Sequence, residues 1–342
     1  MTERTTLSYF SLAFAVTAFG LLLSAWLGWS MHQSVSGMLN ILFIAAVLSV
    51  LEISLSFDNA IVNANKLKDM TPIWQRRFLT WGILIAVFGM RIVFPVAVVA
   101  VAANVGPFEA VRLAAAEPQE YARIMTDARI SISAFGGTFL LMVALSFFFD
   151  PEKDVHWIAL PEKLMCRCGG PRMVVVTLVL AIVLFMSQAI DGPDGDVFLK
   201  SALWGLLTFL AVDMLGEFLD GVSTKGAASG GLGAFMYLEV LDASFSFDGV
   251  IGAFALTQNL FIIAIGLGIG AMYVRSMTIM LVEKGTLSEY KYLENGAFWS
   301  ILVLAFVMFA HVQFHVPEAF TGLAGAALIG LSFYASVKAK DA

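Results

Sequence analysis

The stretch LEISLSFDNAIVNAN, residues 51–65, places two carboxylates, Glu52 and Asp58, in a run otherwise apolar enough to cross a bilayer. From residue 240, VLDASFSFDGVIGAF repeats it at an offset of 190, setting Asp242 under Glu52, Ser246 under Ser56 and Asp248 under Asp58. A helix ending in arginine follows each motif, Arg91 in the first case and Arg275 in the second. Carboxylates flanked by serine and amide oxygens, here Ser56, Asn59 and Ser246, suit a hard cation such as Mg2+, Ca2+, Mn2+, Na+ or a proton. Glu239, one turn before Asp242, is a further oxygen donor.

Seven acids fall inside the expected membrane spans: Glu52, Asp58, Asp213, Glu217, Glu239, Asp242 and Asp248. Each costs roughly 2.5–3.5 kcal/mol at mid-membrane, so the set would cost about 20 kcal/mol if unpaired, more than the ~5–15 kcal/mol by which proteins are typically stable. Arg91 and Arg275 can offset two charges, as counter-ions or gates. The remaining acids must share protons, accept hydrogen bonds from serines, or bind cations. A buried acid–arginine lattice that only fixes helix register is the structural alternative.

Six residues of straight α-helix turn Glu52 about 120° from Asp58, and Asp242 likewise from Asp248. The four carboxylates share one midplane ion only if each helix breaks at its Ser-Phe-Asp step, where Asn59 and Gly249 suit a break. Asp213, Glu217 and Asp220 share one face of a later helix, as a cytoplasmic vestibule or as partners of Arg91 and Arg275. His311 and His315 stand one turn apart and suit either an interface or a transition metal. Cys166 and Cys168 are too close in sequence for an unstrained bridge and are expected to be incidental.

The elements that position these groups are membrane helices. Of the 342 residues, 59% are hydrophobic and only 13% charged, about half the charged fraction of a soluble domain. Apolar runs predict ten spans, near 7–29, 38–62, 78–101, 131–149, 173–190, 197–219, 231–255, 259–282, 296–313 and 320–337. The first run lacks a small-residue cleavage site and reads as a retained helix. Fourteen lysines and arginines, from Arg4 to Lys340, fall on one side of this arrangement, against Arg112, Arg123 and Arg129 on the other. That bias makes both termini cytoplasmic, and FEAVRLAAA and EYARIMTDAR predict helical stretches in the outer 103–130 loop. The motif helices are five spans apart and so cross in opposite directions. One integral membrane domain, all-α and polytopic, therefore divides into 1–190 and 191–342 as an inverted five-plus-five repeat, a plan that places a site near the midplane.

These residues resemble the TerC-like integral membrane proteins. The first repeat has Glu52, then Leu55-Ser56-Phe57-Asp58-Asn59, then Arg91; the second has Asp242, Phe245-Ser246-Phe247-Asp248-Gly249, Ala255-Leu256-Thr257-Gln258 and Arg275. Tyr292-Leu293-Glu294-Asn295-Gly296 matches the family's approach to the next helix. Gly249 replaces a serine, Ser246 replaces an alanine, and prolines after the second aspartate are missing, as in a divergent branch. The resemblance covers roughly 38–150 and 230–313. It implies metal-ion transport, manganese efflux above all, with links to tellurite resistance and metal homeostasis.

The expected protein is a non-enzymatic exporter or exchanger of a divalent cation in the plasma membrane, a bacterial inner membrane. Mn2+ would be cargo rather than a tightly bound cofactor, and protons the exchanged ion. Lipid and metal are the expected partners, and nucleic acid is not. Two other readings remain: a non-transporting scaffold in metal homeostasis, and an intramembrane aspartyl protease using Asp58 and Asp248. The latter lacks its Gly-x-Gly-Asp context.

Overall fold

The computed structural model describes residues 5–68, 70–82, 85, 89, 92–169, 172–222, 231–314, 316 and 318–340. Arg91 and His315 lie outside the described residues, and so do the side chains of Glu217, Asp220 and Asp248. Among the described residues all regular structure is helical. Eight helices are long and apolar enough to cross a membrane, and many large side chains on them face outward, Phe19, Trp26, Phe43, Phe185 and Trp204 among them. The chain is a polytopic all-α membrane protein, because only helices and closed barrels satisfy their backbone polar groups in lipid.

The chain opens with a short turn, α1 (Thr6–Tyr9), then α2 (Ser11–His32) and α3 (Val35–Leu55). After a break at Ser56 come α4 (Phe57–Lys68), α5 (Pro72–Arg77) and a π-helical turn, Phe78–Gly82. Helix α6 (Phe94–Ala102) follows, then α7 (Pro107–Ala116) and α8 (Pro118–Asp127). Both α7 and α8 begin on proline, whose fixed φ suits a first turn and whose missing N–H would have had no helical partner. They fill the 103–130 loop where helical stretches were expected. Helix α9 (Arg129–Phe148) leads through α10 (Ala159–Cys168) to α11 (Arg172–Ala189) and α12 (Pro193–Val222). The rest is α13 (Leu232–Leu256), α14 (Leu260–Glu283), α15 (Thr286–Glu289), α16 (Leu293–Ala310) and α17 (Glu318–Lys340).

The centre of the bundle is α9, apolar around its whole circumference and buried continuously from Gly136 to Leu145, as a core helix should be. It packs against α12, α16 and α13, while α3 lies against α2 and α14. Gly205 lets α12 approach closely, since a Cβ there would run into the Phe135 carbonyl of α9.

Two expected spans come out differently. The 38–62 span is two helices, α3 and α4, divided at Ser56. The 78–101 span begins as a π-helical turn and ends as the nine-residue α6, so it is not one α-helix. The 231–255 span is one helix, and the break that shared coordination would require in the second motif is absent: α13 runs for 25 residues through Asp242 and Gly249 without interruption.

Candidate functional site

Helix α3 ends because Ser56 takes φ −103° and ψ 16°, outside the helical range. Its N–H still donates to the Glu52 carbonyl at 3.0 Å, and its own carbonyl accepts from the Ala60 N–H at 3.2 Å. The result is a kink held by hydrogen bonds. Asn59 N–H turns inward and donates to Asp58 Oδ1 at 2.9 Å. Across this kink Glu52 and Asp58 line the same cavity, although a straight helix would separate them by about 120°.

The cavity has a volume of about 20 Å3, room for roughly one water-sized species. Ser54, Ser56, Ser300 and Thr321 also line it. Glu52 is 3% exposed and Asp58 4%. Glu52 Oε1 accepts from Ser56 Oγ at 3.1 Å, and Asp58 Oδ2 accepts from Ser300 Oγ at 2.8 Å. Thr321 Oγ1 is buried and makes no hydrogen bond among the described residues, leaving an oxygen available to an occupant. Leu55, Phe245, Leu304 and Ile329 close the walls with hydrocarbon.

Two glycines fix Glu52 in place. A Cβ at Gly249 would come 3.0 Å from Glu52 Oε2, and one at Gly270 would overlap the Glu52 Cβ and Cγ. Gly249, expected to break α13, instead lets that helix close onto the carboxylate.

Asp242 does not line the cavity. Asn59 Nδ2 donates to its Oδ1, on another side of α4 from Asp58. Among the described residues no three His, Cys, Asp or Glu side chains converge as a metal-holding group. Asp242 thus stands apart from the Glu52–Asp58 cavity, and α13 runs through Asp242 without the break that convergence on one ion would require. Ser246 is buried with no hydrogen-bond partner, and Glu239 is buried with neither oxygen bonded.

One expected counter-charge, Arg275, is also placed elsewhere. Arg275 donates from Nε and Nη2 to the Leu79 carbonyl at 3.1 and 3.0 Å, bracing the π-helical turn, and no ion pair joins it to an acid among the described residues. Asp213 pairs with Arg172 at 2.8 Å, both partly exposed, beside Phe149 and Asp150. It therefore sits where α9 ends and α11 begins and is not deep in the bundle; the 30-residue α12 is longer than a span requires. His311 Nε2 lies 3.0 Å from the Val316 carbonyl. Cys166 and Cys168 are free thiols.

Sequence reasoning missed Ser300 and Thr321, whose only signal was a polar residue inside an apolar span. It also missed a cluster around Glu162 in the 150–172 loop. Glu162 is fully buried and accepts from Lys153 Nζ, Ile158 N–H at 3.0 Å, Asn295 Nδ2 at 2.6 Å and Trp299 Nε1 at 2.9 Å. Burial alone would raise its carboxyl, but the Lys153, Ile158 and Trp299 hydrogen bonds and the Lys153 charge hold it below the ordinary glutamate value. Trp299 precedes Ser300 on α16, so the loop is fastened one residue from the hydroxyl that holds Asp58.

No curated protein and no solved structure matches the chain. A family match runs over residues 57–342, from the first residue of α4 and taking in the second motif. The chain belongs to the family described as "Protein of unknown function (DUF475)".

Proposed function

We propose that the chain is a membrane carrier that moves a hard divalent cation, Mn2+ foremost, through the cavity of Glu52 and Asp58. The supporting observation is that cavity: two buried carboxylates and four hydroxyl-bearing residues, at a kink, around a space the size of one small species. Two buried carboxylates match the charge of one divalent cation, and hydroxyls are the remaining ligands such an ion accepts. With the ion absent, protons would neutralise the pair, which makes proton–cation exchange the natural coupling. Asp248 precedes the Gly249 that lines the cavity. In this reading ten spans form an inverted five-plus-five repeat, with both termini in the cytoplasm of a bacterial inner membrane.

The test is Mn2+ flux into proteoliposomes across a pH gradient, with Mg2+, Ca2+ and Zn2+ as competitors. Asp58→Asn and Glu52→Gln are expected to abolish flux while the purified proteins remain folded. Unchanged flux in both variants would remove the proposal.

A further inference from the structure

A second group of buried oxygens lies outside the Glu52–Asp58 cavity. Glu239 and Asp242 stand one turn apart on α13, on neighbouring faces. Glu239 is 9% exposed and neither of its oxygens has a hydrogen-bond partner. Opposite them, Asn59 turns its amide nitrogen to Asp242, and Asn59 Oδ1 is buried without a partner. Asn63 Oδ1, one turn further along α4, is likewise buried and unpartnered. The Asn59–Asp242 bond and the stacking of Lys66 over Tyr237 run α4 antiparallel to α13, which brings Asn63 to the level of Glu239.

The third side is the π-helical turn. Phe78 meets the Phe235 ring edge-on, and four residues on in each helix Gly82 faces Glu239, where a Cβ would come 2.6 Å from Oε1. Arg275 fixes this turn through the Leu79 carbonyl. Leaving a carboxylate unbonded in such a place is costly, and a cation satisfies it together with the amide oxygens.

We propose that Glu239 and Asp242, with the side-chain oxygens of Asn59 and Asn63, form a second site for a hard cation, walled by Gly82. Asp58 and Asn59 are consecutive, so the α3–α4 kink directs one residue to each site and ties their geometries together. At the repeat offset Glu239 falls on Ser49, and the second site has no counterpart in the first motif. Its role in transport rests on the carrier reading; its capacity to bind does not.

Equilibrium binding of 54Mn2+ and of 22Na+ to the purified chain in nanodiscs separates the two sites and the two possible ions. Wild type is expected to hold two cations per chain, as two Mn2+ or one of each. Glu239→Gln and, independently, Gly82→Ala should each remove one, while Asp58→Asn removes the other. Cation-induced thermal stabilisation supplies a second readout: Glu239→Gln should unfold no earlier than wild type without cation and gain less when cation is added. Retention of the full count of both ions by Glu239→Gln and Gly82→Ala would overturn the proposal. A count lowered by Glu239→Gln but not by Asp58→Asn would instead sink the Glu52–Asp58 reading and leave this one standing.

Discussion

Glu52 and Asp58 are each held by one hydroxyl, and the two hydroxyls come from different places. Ser56 belongs to the same kink, while Ser300 reaches Asp58 from α16. A hydrogen bond to a charged group is worth about 1.5–3 kcal/mol, so Ser300→Ala should weaken Mn2+ binding roughly tenfold or more, read by titration of the purified protein. An affinity equal to wild type would mean that Ser300 neither orients Asp58 nor contributes an oxygen. The carboxylates were legible in the sequence because a charge in an apolar run is conspicuous and because the motif recurs 190 residues on. Ser300 and Thr321 were not, since a lone hydroxyl in a membrane helix usually bonds its own backbone. Gly270 belongs to the small-residue run GLGIG, 266–270, which suits close helix approach, but its partner, Glu52, lies far away in the chain and was not legible.

The two motifs are alike in letters and unlike in shape. Ser56 ends α3, whereas Ser246 sits within an uninterrupted α13. The first motif has the polar Asn59 after its aspartate, and that side chain is committed to Asp242 across the helix pair. At the matching place Gly249 carries no side chain to make such a bond, and α13 uses the space to press on Glu52. Sequence similarity located both motifs but could not assign the kink to one of them. In the 150–172 loop, Glu162 fastens the chain to α16 through Asn295 and Trp299. Glu162→Ala would strand the buried Lys153, at a cost of about 3–5 kcal/mol, and should lower the thermal unfolding midpoint. Because the folded carboxyl is held below the ordinary 4.5, its contribution is complete above that value and fades as pH falls below it. The wild-type midpoint should therefore drop in that acidic range, and Glu162→Gln should flatten this part of the profile.

Across the whole molecule, hydropathy sufficed for the class of fold: among the described residues eight helices meet the length and composition of a membrane span. Helix α13 and the segment that follows the first motif depart from that simple pattern. Helix α13 carries three acids, and the segment after α5 starts as a π-helical turn braced by Arg275. Apolar bulk decides where a helix lies, while the acids, the kink and the π turn decide where an ion can sit, so these departures gather around the two oxygen-lined sites. The most direct test is anomalous diffraction at the manganese edge from crystals grown with Mn2+. A peak is expected between Glu52 and Asp58, at roughly the 2.0–2.6 Å of oxygen ligands to hard divalent cations, and lost in Asp58→Asn. A wild-type cavity without a peak in crystals that carry Mn2+ elsewhere would contradict a cation path through Glu52 and Asp58.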